Sequence, residues 1–250
     1  MNTVVVTGAA GRIGSVVCPG LEEAGWTVRR TDLPDADLTD PAAEPVLAEL
    51  LDGADAVVHL AGIAGEDTWP RILAANIDGT QRVLQAAREA GVRRVVLASS
   101  NHATGFTPRP ADGPLPADAA LRPDTYYGVS KVAMEALGAL YVERHGVDVV
   151  ALRIGSFLPR PTSARHLATW LSPGDCVRLV LAALTAPSPG FVQVWGISAN
   201  TRAWWDPAAG GALGYQPVDD SEDHVADVGT EPAATDDLVG GEFCERDPIR

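Results

Sequence analysis
The chain has one lysine, Lys131, four residues after Tyr127 in the segment YGVSK; the other 18 of its 19 Lys and Arg residues are arginines. Positions i and i+4 share one helix face, so a phenol and an ammonium at this spacing can enter one pocket. An ammonium beside a phenol favours the phenolate and draws its pKa down from about 10. The spacing therefore points to Tyr127 as a general base activated by Lys131. A solvated helix face with an unrelated Tyr and Lys is the bland alternative, and a common one for an isolated pair. The surrounding motifs weigh against it.

The first of those motifs is TGAAGRIG, with glycines at 8, 11 and 14 between an apolar run and an amphipathic stretch. Gly8 allows a tight turn, Gly11 lets backbone approach a pyrophosphate, and Gly14 permits close helix packing. The following helix offers N–H groups and a positive dipole end to phosphates. Gly8, Gly11, Arg12, Ile13 and Gly14 are thus candidate contacts for a dinucleotide. Asp32 lies 24 residues after Gly8. A carboxylate there can accept both ribose hydroxyls and repels a 2′-phosphate, which favours NAD over NADP. Arg12, Arg29 and Arg30 stand against that preference, since each could hold such a phosphate. Asp37 and Leu38 fall at the adenine edge, and HLAGI sets Leu60, Ala61 and Gly62 along the cofactor. His59, in an apolar strand, reads as a core histidine with its hydrogen bonds satisfied. Asn76 reads equally as a ligand of backbone near the site and as a polar helix residue.

These side chains need a scaffold that brings strand ends together. Apolar runs over 3–7, 26–31, 56–60, 94–99, 147–154 and 191–197 alternate with helical patterns over 11–24, 41–51, 69–90, 126–145 and 173–186. Such alternation predicts βαβ units and a doubly wound α/β Rossmann sheet, all parallel. Residues 1–155 form the nucleotide-binding core. Residues 156–250 form a smaller substrate-binding portion, whose strand near 191–197 returns to the sheet, so the chain is effectively one compact domain. The Pro- and Asp-rich stretch 104–124 reads as a long surface loop. Beyond Asn200 the pattern weakens to irregular chain with short helices.

Composition bounds the partners. A net charge of −14 over 250 residues and a pI near 4.6 oppose nucleic acid and anionic membranes. They also repel an anionic substrate at long range, so such a substrate needs a local arginine. Cys18, Cys176 and Cys244 are scattered, with no Cys/His cluster, so neither a disulfide framework nor a zinc site is indicated. The chain shows no signal-type segment and no apolar run of about 18 residues, which points to the cytoplasm. A homo-oligomer stays open.

Together TGAAGRIG, HLAGI, ASSNH and YGVSK resemble the extended short-chain dehydrogenase/reductase family, the NAD-dependent epimerases and dehydratases. SSNHATGF, LRIGSFLPRPTSARHLATW and VQVWGISANTRAWWD extend the likeness across nearly the whole chain, to the family's uronate-oxidising members. The resemblance implies NAD-dependent oxidation of D-glucuronate or D-galacturonate at C1 to an aldarolactone, with no metal. It makes Ser100, Tyr127 and Lys131 the catalytic set: Tyr127 takes the hydroxyl proton, Ser100 holds the reacting oxygen, and Lys131 also holds the nicotinamide ribose. It sets Ser100, Asn101, His102, Tyr127 and Ser156 against the sugar and the backbone of Phe157 against the cofactor. It assigns Arg165 to the uronate carboxylate, with Arg153 and Arg160 as rivals. A guanidinium can grip a carboxylate through two parallel hydrogen bonds. The chain departs from the family at Ala64 and Gly65, where a substrate-touching serine is usual. The tryptophans of VWGISANTRAWWD read as packing. Two other functions remain: another extended short-chain sugar dehydrogenase or nucleotide-sugar epimerase or dehydratase, and a catalytically silent NAD-sensing regulator.

Overall fold
The structure, a computed structural model, describes residues 2–229 and 235–245. Its strands are β1 (Thr3–Thr7), β2 (Thr27–Thr31), β3 (Ala56–His59), β4 (Arg94–Leu97), β5 (Asp148–Ile154), the short β6 (Ser156–Phe157) and β7 (Trp170–Leu171), and β8 (Phe191–Gly196). Six of them form one sheet in the order β2-β1-β3-β4-β5-β8, every pair parallel, and β6 pairs with β7 apart from it. Strands covered on both faces read as unbroken apolar runs. That is why Val4–Val6, Ala56–Val58 and Val95–Leu97 are all buried.

The helices are α1 (Gly14–Glu23), α2 (Glu44–Leu51), α3 (Trp69–Ile72), α4 (Gly79–Glu89), α5 (Tyr126–His145), α6 (His166–Thr169), α7 (Pro173–Thr185) and α8 (Ala208–Ala212). One face of the sheet buries Val4, Val6 and Val150 against Leu21 of α1 and Leu179 of α7. The other buries Val5, Val57 and Val95 against Leu47, Leu84 and Met134 of α2, α4 and α5. The chain leaves β1 for β2 on one side and β3 on the other. Parallel sheets bind ligands at such a reversal, beyond the carboxyl ends of the strands.

Two helices depart from the sequence expectation. The helix expected from residue 11 begins at Gly14, because Gly11 N donates to Gly8 O at 3.1 Å and closes the turn instead. The helix expected over 69–90 is broken by a π turn at Leu73–Asp78 between α3 and α4. The wider turn aims Asn76 inward. Its Oδ1 accepts from Ile63 N at 2.7 Å, and its Nδ2 donates to Ile63 O at 3.0 Å and to Ser130 Oγ at 2.9 Å. Of the two readings open for Asn76, backbone binding is the one observed.

Trp195 of β8 and Trp204 and Trp205 beyond it pack with Leu115 of the 104–124 stretch and with Val239. The rings of Trp195 and Trp205 stack at 4.4 Å. The tryptophans thus serve as packing, and they anchor residues 235–245 beside the sheet. No described helix is long and apolar enough to cross a membrane.

Candidate active site
A cavity of about 790 Å³ opens at the carboxyl ends of β1, β2 and β3. Gly8, Gly11, Arg12, Ile13, Gly14, Asp32, Asp37, Leu38, Leu60, Ala61, Gly62 and Phe157 all line it. These are the cofactor candidates other than Lys131, which lies outside it. The glycine turn is shaped by its own backbone. Gly8 has φ +71°, and a Cβ there would stand 2.6 Å from Ala61 N. A Cβ on Gly14 would stand 2.4 Å from Gly8 O, so this residue fits helix to turn. Thr31 also lines the cavity, and its buried Oγ1 has no hydrogen-bond partner. Buried hydroxyls are normally satisfied, so this one suits a polar ligand. The turn, the start of α1 and this hydroxyl fit a dinucleotide.

Asp32 lines the cavity just past β2. Its Oδ2 accepts from Ala10 N at 2.8 Å and its Oδ1 from Leu33 N at 2.8 Å. Each oxygen keeps a lone pair for a hydroxyl. Of the three arginines that could hold a 2′-phosphate, Arg29 and Arg30 are engaged outside the cavity, and Arg12 is bonded across it. Arg29 donates to Leu50 O and Asp52 O, Arg30 pairs with Glu22 at 2.8 Å, and Arg12 donates to Phe157 O at 3.0 Å. That last bond occupies a backbone group of the residue assigned to the cofactor.

The second centre lies at the end of β4. Ser100 pairs with Ile154 in a parallel bridge, and Gly155, the next residue, lines the cavity. Helix α5 opens beside it. Thr125 caps α5 by accepting from Gly128 N, and the Glu66 carboxylate accepts from Tyr126 N and Tyr127 N at 3.2 and 2.9 Å. An anion is favourable at a helix N-terminus. Glu66 also ties the β3–α3 loop to the helix that carries Tyr127. Nothing in its spacing singled it out in the sequence.

Tyr127 is 9 % exposed and Lys131 5 %. The Lys131 ammonium lies 5.2 Å from the centre of the Tyr127 ring and donates to Ala98 O at 2.8 Å. Here the expected activation is not what the resting site shows. Burial pushes the Tyr127 phenol up to about 12; the Ser100 hydroxyl opposes, and the Asp124 carboxylate adds to the rise. Burial pulls Lys131 down to about 8, against the attraction of Glu135. The lysine donates to the carbonyl just past β4, and burial is the largest influence on the phenol.

The candidate substrate residues divide. Ser100, Asn101 and His102 are together. His102 N donates to Ser100 Oγ at 3.3 Å, and Asn101 Nδ2 donates to Val239 O at 2.8 Å. His102 Nδ1 meets Asp124 Oδ2 at 2.7 Å, and its ring lies edge-on to Tyr127. Asp124 fixes this histidine and was not foreseen. Ser156 shares a hydrogen bond with Thr169 Oγ1 at 2.9 Å. Arg165 donates to Leu238 O at 3.0 Å and to Val239 O, so its guanidinium is turned onto residues 238–239. Of its rivals, Arg153 is fully buried against Glu135 at 2.9 Å, and Arg160 is exposed. His59 is buried, held by Thr7 Oγ1 at 2.7 Å and Thr80 Oγ1 at 3.1 Å, as a core histidine should be.

The model of the NAD dependent epimerase/dehydratase family matches residues 4–172. The chain is 38% identical to a uronate dehydrogenase of Pseudomonas putida, over 99% of this chain and 97% of the relative. It is also 38% identical to an L-arabinose 1-dehydrogenase (NAD(P)(+)) of Haloferax volcanii, over 88% of this chain and 98% of the relative. Among solved structures, it is similar to a tyrosine-to-alanine variant of uronate dehydrogenase from Agrobacterium tumefaciens complexed with NAD. The TM-score is 0.90 and the identity 35%, with 100% of this chain and 99% of the other covered.

Proposed function
This chain belongs to the NAD dependent epimerase/dehydratase family, and on that premise we propose that it oxidises a hexuronate at C1, with NAD as oxidant. D-glucuronate and D-galacturonate are the expected substrates, and an aldarolactone is the product. One observation carries this reading: Ser100, Tyr127 and Lys131 converge at the end of β4, and the bridge from Ser100 to Ile154 sets them beside Gly155 of the dinucleotide cavity.

When bound, NAD supplies the hydride acceptor and, in its oxidised nicotinamide, a positive charge that favours the phenolate. The cofactor is held by the glycine turn, by Asp32 and by the walls from Leu60 to Gly62. Tyr127 takes the proton of the C1 hydroxyl, and Ser100 hydrogen-bonds the same oxygen. Lys131 braces the strand end through Ala98 O and holds the nicotinamide ribose. Asn101, His102 and Ser156 meet the sugar hydroxyls. Residues 156–250 supply the substrate-holding portion.

Arg165 explains how a protein of net charge −14 takes an anion. Burial depresses the Arg165 guanidinium below its ordinary value, and Asp236 opposes that. Its direct hydrogen bonds go to carbonyls, though Asp236, Asp124 and Glu242 also act on it, and a substrate carboxylate would exchange those neutral bonds for charge-assisted ones.

The test is NADH formation from NAD with D-galacturonate or D-glucuronate, followed by absorbance. L-arabinose, glucose 6-phosphate and UDP-glucuronate serve as comparison substrates. Uronates are expected to be oxidised well above all three. Folded, NAD-binding protein that forms no NADH from either uronate would return the protein to the epimerase or sensor alternatives.

A further inference from the structure
The face of α5 that carries Tyr127 and Lys131 continues one turn further, to Glu135, and three consecutive residues of the β4 exit answer it. Ser100 stands beside Tyr127, Ala98 O accepts from Lys131 at 2.8 Å, and Ser99 Oγ donates to Glu135 Oε1 at 2.6 Å. Glu135 is 2 % exposed, yet its carboxylate accepts three further hydrogen bonds. Arg153 Nε reaches Oε1 at 2.9 Å, while Arg153 Nη2 and Gln193 Nε2 reach Oε2 at 2.9 and 3.0 Å. Arg153 is itself fully buried and spends Nη1 on Ala117 O and Ala119 O. A buried carboxylate with this many donors is fixed in place.

We propose that Glu135 is a positioning residue for the oxidation. It clamps Ser99 so that the next residue, Ser100, meets the Tyr127 phenol, and it lays a fixed negative charge one helical turn beyond the Lys131 ammonium. This rests on the uronate-oxidising function only for its effect on rate. The charge on Lys131 is a property of the resting protein. Glu135 is the group that opposes the pull of burial on Lys131. The other titratable groups facing this lysine are Tyr127 on α5 and His59 on β3; Arg153 on β5 lies across Glu135, and Asp124 before α5 acts on Tyr127. His59 is buried and neutral, its pKa lowered to about 3 by burial and by Lys131 itself. Arg153 is a cation, so Glu135 is the group of opposite charge on the lysine's own helix face.

The experiment has two arms. Because Lys131 is the only lysine, isotope-labelled lysine gives a single side-chain resonance. Its titration is expected near pH 8 in the native protein and about one unit lower in Glu135→Gln. An unchanged titration in the folded variant overturns the charge role, whatever the substrate proves to be. Ser99→Ala removes only the clamp and leaves the Glu135–Arg153 pair intact, so it reads the geometry even where Glu135→Gln does not fold. Its kcat is expected to fall about tenfold, with KM for NAD and the thermal midpoint little changed. An undiminished kcat overturns the positioning role. A native protein inactive on all uronates counts against the functional assignment instead, and leaves the titration arm standing.

Discussion
Asn101 and Arg165 share an acceptor: the side-chain amide of the first and the guanidinium of the second both donate to the carbonyl of Val239. Two residues that the family resemblance sets against the sugar are thus tied to one another through the chain near its C-terminal end. Arg165 is held by the backbone of residues 238–239, and the proposed function has a substrate carboxylate displace those bonds.

Arg165→Ala should therefore raise KM for uronates by about a hundredfold and change kcat far less, since a charge-assisted pair made equally in ground and transition states is lost. Steady-state kinetics with D-galacturonate decide this. An unaltered KM would mean that another group holds the carboxylate.

Tyr127→Phe should lower kcat by about a thousandfold or more, the scale of a lost general base. NAD should bind as before, because the phenol lies outside the cavity walls. Calorimetric titration with NAD beside the rate assay separates the two. Turnover near the native rate would remove Tyr127 as the base.

Asp32→Ala should weaken NAD about tenfold and narrow its advantage over NADP. NADP itself should gain little, because Arg29 and Arg30 are held by Leu50 O, Asp52 O and Glu22. Dissociation constants for both cofactors test this. An unchanged ratio takes Asp32 out of that role.

His59 should give the fold an acid-sensitive limb. Burial, helped by Lys131, lowers its pKa from 6.5 to about 3. The unfolded chain then binds more protons between those values. The stabilisation is present above the unfolded pKa and is lost as pH falls toward the folded one, at up to about 1.4 kcal/mol per pH unit. His59→Gln should be less stable near neutral pH, yet lose less on acidification. Urea midpoints across that range check it, and parallel slopes for the two proteins would refute it.

The parallel sheet was legible because its central strands β1, β3 and β4, buried on both faces, are written as short runs rich in valine. The nucleotide turn was legible because Gly11 and Gly14 answer backbone clashes within the same short segment, although the clash that Gly8 avoids comes from Leu60 and Ala61. What the sequence did not reveal depends on contacts made across the chain. The π turn at 73–78 exists for the sake of Asn76 and Ile63. The carboxylate of Asp124 meets His102 from the far end of the 104–124 stretch, and residues 238–239 return to Arg165 from some seventy positions away. The acidity of Tyr127 was misjudged for the same reason. Helical spacing sets Lys131 close, but burial, which local sequence does not specify, dominates the phenol. Glu135 was within reach, since it extends the four-residue spacing of Tyr127 and Lys131 by one more step.

The single side-chain amine of this protein is buried and donates to the Ala98 carbonyl just past β4. Acylating, glycating and carbamylating reagents therefore meet a surface whose cations are all guanidinium groups, apart from the α-amine. Such damage, which erodes lysine-coated enzymes piecemeal, has here one side-chain amine to reach, and that amine is 5 % exposed.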